Sequence, residues 1–361
     1  MWAIYLPLVV PLCAAAGART IASRLPPQVA TWLLTGAAVA LAALSTAVLG
    51  LLACTAILRI PLVATLGHMS VQVIRRNDPA SLSAAVGGAA LLAVAVVAAG
   101  RATWRRVRAL VSAARHARCL PGSGQVVVVP DGSADAYAVP GWPGRIVVTA
   151  GMLDALNPDE RRVLLAHERV HAQSHHYLFT ALTYLAAAAN PLLRPVAAAV
   201  TYTVERWADE TAARDCGDRR LAARAIGKAA LASAGRSTRG PVRPRGVAMG
   251  IAGPTVTRGG TRLRGMTRLR GMIGLRGVTR LPGLTRLGRV TRLGDVLGVG
   301  GAGQVPRRVA ALLAPPPRIR PLLVAAVAGV VLVSSLGVLD VAHDVHAVVE
   351  LAQTQVFTGR S

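Results

Sequence analysis

The chain alternates between long apolar runs and short polar breaks, and the lengths of the runs sort them into two kinds. Trp2 to Ala18, Val29 to Leu58, Ala80 to Gly100 and Leu322 to Leu339 carry no charge. They approach or exceed the roughly 20 residues a helix needs to cross about 30 Å of hydrocarbon. The first lacks the basic n-region of a cleaved signal peptide, so it reads as an anchor despite Ala14-Ala15-Ala16. Between the third and fourth runs the pattern shortens. Gln125–Val129, Ala134–Val139 and Arg145–Thr149 are bounded by Pro130-Asp131-Gly132 and Pro140-Gly141-Trp142-Pro143-Gly144, which predicts three short strands. Asn157-Pro158-Asp159-Glu160 then offers a cap residue, a first-turn proline and two acids at the positive end of a helix dipole. Val163, Leu164 and Ala166 continue with helical period. Leu178 to Val204 is apolar again, but Asn190, Pro191, Arg194 and Pro195 interrupt it. That pattern predicts a helical hairpin lying on or dipping into a membrane.

Composition sharpens the picture. Hydrophobic residues are 53% and charged residues 16% of 361, too few charges to cover a soluble surface. Against this background the formal charge is +25, almost all of it from arginine, since Lys228 is the single lysine. Arg101, Arg105, Arg106, Arg108, Arg115 and Arg118 crowd the end of the third run, and short basic flanks stay on the cytoplasmic side. Arg19 and Arg24 then fall inside as well, while Arg59, Arg75 and Arg76 fall outside, against the trend. Cys13, Cys54, Cys119 and Cys216 show neither a disulfide framework nor metal spacing.

From Gly235 to Gly303 the material changes. Thr-Arg-Leu recurs at Thr261, Thr267, Thr279, Thr285 and Thr291, punctuated by glycine and proline that stop any helix from propagating. From Arg236 to Arg308 there are sixteen arginines and one acid, Asp295. This reads as a disordered linker beside the membrane, suited to anionic lipid head groups. Nucleic acid is disfavoured as a partner because no aromatic residues interleave the charge.

The chemistry sits in His167-Glu168-Arg169-Val170-His171. A spacing of four puts both imidazoles on one helix face, close enough to share a zinc ion, with Glu168 beside them as a general base. A third ligand is needed. His175 lies farther along the same face, where a straight helix cannot wrap around one ion, and Tyr177 stands where a metzincin has its third histidine. Glu205, on a later predicted helix, is the better candidate. Asp209 is on the same face four residues on, placed to accept a hydrogen bond from a ligand histidine. His175, His176, Tyr202 and Arg206 are all conceivable as donors to an oxyanion.

Taken in order, the strands with Ala136-Tyr137-Ala138 and Val148-Thr149-Ala150-Gly151-Met152-Leu153, the His-Glu-x-x-His helix and Glu205-x-x-Ala208-Asp209 resemble the membrane gluzincin peptidases. These include the HtpX and CAAX prenyl protease group and the β-lactam sensor-transducer peptidases, to whose layout Asn190-Pro191 and the preceding spans come closest. The resemblance covers roughly residues 125 to 216. It implies one zinc per chain held by His167, His171 and Glu205, with Glu168 as base and Asp209 behind a ligand histidine. It also implies that Ala136, Tyr137 and Ala138 form an edge strand that pairs with an extended substrate. No penicillin-binding domain is expected after the last span, so the sensor role is not carried over.

The expected protein is thus a predominantly α-helical multi-pass membrane protein with a small α+β zincin-type metallopeptidase domain. Residues 1–100 hold three spans, and 101–235 a cytoplasm-facing peptidase domain with the hairpin 178–204. Residues 236–306 form the Arg/Gly linker, and 307–361 a last span and short tail in the plasma membrane. The expected activity is zinc-dependent endopeptidase cleavage of protein or peptide, in regulated proteolysis of a repressor or in membrane-protein quality control. The rival is a non-catalytic signalling or scaffold protein with a structural zinc and a lipid-binding linker, for which Glu168 has no use.

Overall fold

A computed structural model describes residues 6–66, 82–119, 124–141, 144–235 and 304–358. Arg75, Arg76, Trp142, Pro143 and the Thr-Arg-Leu repeat lie outside the described residues. The chain is predominantly helical. Among the described residues, four helices are long and apolar enough to cross a bilayer: α1 (Leu6–Arg24), α2 (Pro27–Leu58), α4 (Leu82–Cys119) and α11 (Pro321–Thr358). A short α3 (Pro61–Leu66) follows α2. The thirty-residue apolar run contains no turn, because nothing in α2 after Pro27 interrupts helix propagation. The helix begun in the third apolar run continues through its arginines as one rod, arginine and alanine both being strong helix formers. Leu91, Val94, Val96 and Val97 on α4 and Leu322, Leu332, Leu336 and Leu339 on α11 are exposed, as side chains facing lipid would be.

Three strands form one small sheet in the order β1 (Val126–Val129), β3 (Arg145–Thr149), β2 (Ala136–Val139). β3 is central, parallel to β1 and antiparallel to β2, with Val127 opposite Val147 and Ala138 opposite Ile146. Thr149 ends β3 and caps α5 (Ala150–Ala155), accepting from the Met152 N–H at 3.3 Å. The turn after β1 presses onto this junction. A Cβ at Gly151 would stand 2.2 Å from the Gly132 carbonyl oxygen, so only glycine fits there.

α6 (Pro158–Gln173) opens with a full capping box: Glu160 N–H donates to Asn157 Oδ1 at 2.8 Å and Asn157 N–H to Glu160 Oε2 at 2.9 Å. The same carboxylate receives Lys228 Nζ at 2.8 Å, tying α9 (Arg219–Gly235) to the start of α6. α6 stops at Ser174, and His175 takes a left-handed conformation (φ 48°) that redirects the chain into α7 (His176–Ala189). Asn190 caps a 3₁₀ turn, Pro191–Leu193, which reverses the chain into α8 (Arg194–Asp215). Leu178 to Val204 is therefore a hairpin of α7 against α8. Residues 304–313, divided by sequence between linker and last span, instead form a separate helix, α10 (Gln304–Leu313), packed on α8 and α9.

Among the described residues the two larger hydrophobic cores meet along α6 and α8, while a third, small cluster of Val48, Leu52 and Val341 joins α2 to α11. One joins α1, α2, the hairpin and α11 through residues such as Leu25, Leu34, Leu41, Val196 and Val200. The other joins the sheet with α5, α6, α9 and α10 through Ile146, Val148, Leu164, Ala212, Ile226 and Leu312. Polar stitches bind the hairpin into the first core. Pro11 has no N–H for the Pro7 carbonyl, and Ser45 Oγ of α2 stands 3.0 Å from that oxygen. Asn190 Nδ2 donates to Ser45 Oγ at 3.0 Å, Thr31 Oγ1 lies 2.9 Å from Thr203 Oγ1, and Arg206 Nη1 donates to the Ala22 carbonyl at 3.0 Å. Thr31 and Ser45 are fourteen residues apart on α2, so these contacts run about 20 Å along the helix.

Candidate metal centre

The centre lies on the seam between the two cores. His167 and His171 share one face of α6, both buried, with Nε2 atoms 3.1 Å apart. Glu205 of α8 presents Oε2 at 3.8 Å from His167 Nε2 and Oε1 at 3.8 Å from His171 Nε2. The three donors lie within 4.8 Å of one another. Ligand atoms around a tetrahedral zinc, at bonds of about 2.0–2.1 Å, stand roughly 3.3 Å apart, and these separations straddle that value.

Each imidazole is held from its far side. His167 Nδ1 lies 3.0 Å from Asp209 Oδ1, one helical turn beyond Glu205 on α8. His171 Nδ1 lies 2.9 Å from Nδ1 of His176, whose buried ring rests against Trp207 with centroids 4.7 Å apart. The left-handed residue His175 swings His176 back onto α6. The sequence pattern marked His176 only as a polar helix end or an oxyanion donor. Its place behind the His171 ring, opposite the Nε2 that faces Glu205, removes the second role.

The least expected neighbour is Arg308 of α10. Its guanidinium is 1% exposed and forks onto Asp209, Nε to Oδ2 at 2.7 Å and Nη2 to Oδ1 at 2.6 Å. Its remaining arm reaches Glu205 Oε2 at 2.8 Å. α10 is also held at its C-terminal end, where Arg219 donates to the carbonyls of Leu312 at 2.9 Å and Ala314 at 3.1 Å while pairing with Glu210. One signal in the sequence pointed to this arginine. Val305, Arg308, Val309 and Leu312 follow the i, i+3, i+4, i+7 stripe of a buried helix face, with a guanidinium where an apolar residue belongs.

Glu168 is fully buried beside the two histidines, and among the described residues neither of its oxygens has a hydrogen-bond partner of good geometry. Burial, and then the nearby Glu205, push its pKa well above the ordinary carboxylate range, with the Ala138 backbone and Arg308 pulling the other way. Burial also raises Glu205. Burial opposes charge on Asp209 too, yet Arg308 outweighs it and holds that carboxyl at about 2. Burial, followed by the neighbouring imidazoles, lowers His171 well below the ordinary range, and burial and His167 take His176 to about 3. Three buried carboxyl groups thus stand beside the buried guanidinium of Arg308. Buried carboxyl groups in such surplus ionise only where a cation offsets them, and the mixed nitrogen and oxygen donor set suits zinc.

Other candidates from the sequence are distributed around this group. Ala136, Tyr137 and Ala138 lie on β2, at an edge of the sheet, and Ala138 comes close enough to act on the Glu168 carboxyl. Tyr202 is stacked under Arg307 at 4.7 Å and Arg206 at 5.9 Å, and Arg206 is committed to the Ala22 carbonyl. His175 approaches Tyr177.

Residues 101–258 match the model of peptidase family M48. The matched segment contains the sheet, α6, α8 and all three grouped donors, and ends before Arg308. No curated protein and no solved structure matches the chain.

Proposed function

We propose that this chain, whose residues 101–258 match the model of peptidase family M48, is a membrane-associated zinc-dependent endopeptidase whose ion is held by His167, His171 and Glu205. The observation that carries this reading is the convergence of those three buried donors beside a carboxyl, Glu168, that no side chain among the described residues ties down. Zinc bound there supplies a Lewis acid and brings the pKa of a coordinated water toward about 7. Glu168 is the general base: its buried carboxylate takes the proton that the attacking water gives up and later delivers it to the leaving amine. Asp209 accepts from His167 Nδ1–H, fixing the tautomer that leaves Nε2 as a donor to the ion. The outer edge of β2 at Ala136–Ala138 pairs with an extended peptide by backbone hydrogen bonds and lays it alongside Glu168.

The peptidase domain faces the cytoplasm of the plasma membrane, on the side of the α4 arginines. The Arg/Gly segment contacts anionic lipid head groups. Proteolysis of a repressor and removal of damaged membrane proteins are the two roles this layout fits. Glu168→Ala should keep stoichiometric zinc and lose cleavage of casein or a model peptide, because truncation removes the proton acceptor and no ligand. Cleavage at the wild-type rate by that variant would eliminate the mechanism.

A further inference from the structure

Ligand histidines in metal sites need their second ring nitrogen held, usually by a carboxylate or a carbonyl. His167 has Asp209 for this, whereas His171 faces another imidazole. We infer that His176 is a positioning residue for the metal centre: it accepts a hydrogen bond from His171 Nδ1–H and so keeps the lone pair of His171 Nε2 directed at the ion. The inference rests on the zinc reading above and extends it to a residue outside the His-Glu-x-x-His motif.

Four observations support it. The Nδ1 atoms are 2.9 Å apart, so one of them carries the proton and the other accepts it. Nε2 of His171 is the nitrogen that faces His167 and Glu205. For that atom to donate to a metal, the proton of the neutral ring must sit on Nδ1, which makes His176 the acceptor and puts its own proton on Nε2. That Nε2 is buried and has no hydrogen-bond partner among the described residues, so Nδ1, at 2.9 Å from His171, is the ring's one bonded nitrogen there. Finally, the ring is fixed in place. It is fully buried, lies against Trp207 at 4.7 Å and Phe179 at 6.5 Å, and is delivered by the left-handed backbone of His175 (φ 48°). A histidine at φ above zero is uncommon enough to mark a turn made for a purpose.

The test compares two replacements in the full chain, purified in detergent, with zinc affinity measured by competition against a chromophoric chelator. His176→Phe keeps a ring against Trp207 and loses the acceptor. His176→Asn loses much of the ring but carries an amide oxygen near the position of Nδ1. The phenylalanine variant should release zinc about 10- to 100-fold more readily than wild type, with the asparagine variant recovering most of that loss. His176→Leu replaces the phenylalanine variant in the comparison should the latter not be recovered folded. Wild-type affinity in the variants lacking an acceptor, or equal losses in the asparagine and phenylalanine variants, would overturn the inference. Failure of the wild type itself to hold zinc would instead strike the underlying reading of the centre.

Discussion

Replacing Arg308 with methionine isolates the ion-pair network at the centre, because methionine keeps an apolar stem and removes only the guanidinium. The side chain is 1% exposed and makes contacts of 2.6, 2.7 and 2.8 Å to Asp209 and Glu205, themselves no more than 3% exposed. Removing one partner from a buried ionic network leaves the others desolvated without compensation and costs about 3–5 kcal/mol. At roughly 2–4 °C per kcal/mol for a domain of this size, the melting temperature should fall by on the order of 10 °C. Arg307→Met is the internal control. That neighbouring arginine is exposed and stacks 4.7 Å over Tyr202, an interaction worth about 0.5–1 kcal/mol. Thermal melts of the detergent-purified full chain, with and without zinc, provide the assay. Zinc should raise the melting temperature more in Arg308→Met than in wild type, because the variant buries one more uncompensated negative charge for the ion to neutralise. A loss no larger than that of Arg307→Met would show that the buried contacts contribute no more than exposed pairs do, and the ion-pair network at the centre would lose its energetic role.

Glu205→Ala removes the donor from α8, and metal analysis should find the bound zinc sharply reduced; full stoichiometry would point to another third ligand. Glu160→Gln keeps the capping geometry and removes the charge. Burial works against ionisation of Glu160, but Lys228, the Asn157 N–H and Arg224 outweigh it and lower its pKa. Its stabilisation is therefore complete above the ordinary glutamate value of about 4.3 and is lost as pH falls through the lower folded value, so the glutamine variant should show a flatter acid limb in melting temperature against pH. An unchanged limb would contradict the Lys228 pairing. Ser45→Ala and Asn190→Ala should couple by about 0.6–1.7 kcal/mol in a double-mutant cycle, the range for hydrogen bonds between membrane helices. Simple additivity would mean the two side chains do not meet.

Much of the architecture was legible because it is written in local patterns. β-branched runs closed by proline and glycine gave the strands, Asn157 to Glu160 gave the start of α6, and Asn190-Pro191 gave the reversal of the hairpin. The grouping of His167, His171 and Glu205, with Asp209 against His167, follows from helical periodicity once two helices are known to return to one point. Arg308 and His176 were not legible for a common reason. Their partners are fixed by tertiary packing and not by spacing: Arg308 arrives from a helix 99 positions beyond Asp209, and His176 depends on one backbone dihedral at His175. In a chain with 41 Lys and Arg residues, one buried guanidinium carries no compositional signal.

α8 is a single unbroken helix of 22 residues, and its ties to the spans at Thr203 and Arg206 bracket Glu205. A rod of this kind has no joint between its lipid-held portion and its chemistry. The height of the reacting centre above the bilayer is set in the same way as the height of a gauge clamped to a bench. A substrate anchored in that bilayer would then be cut at a constant distance from its own membrane exit, whatever residues flank the bond. Moving the cleavage point along such a substrate would require lengthening or shortening α8 by whole turns, at about 5.4 Å each.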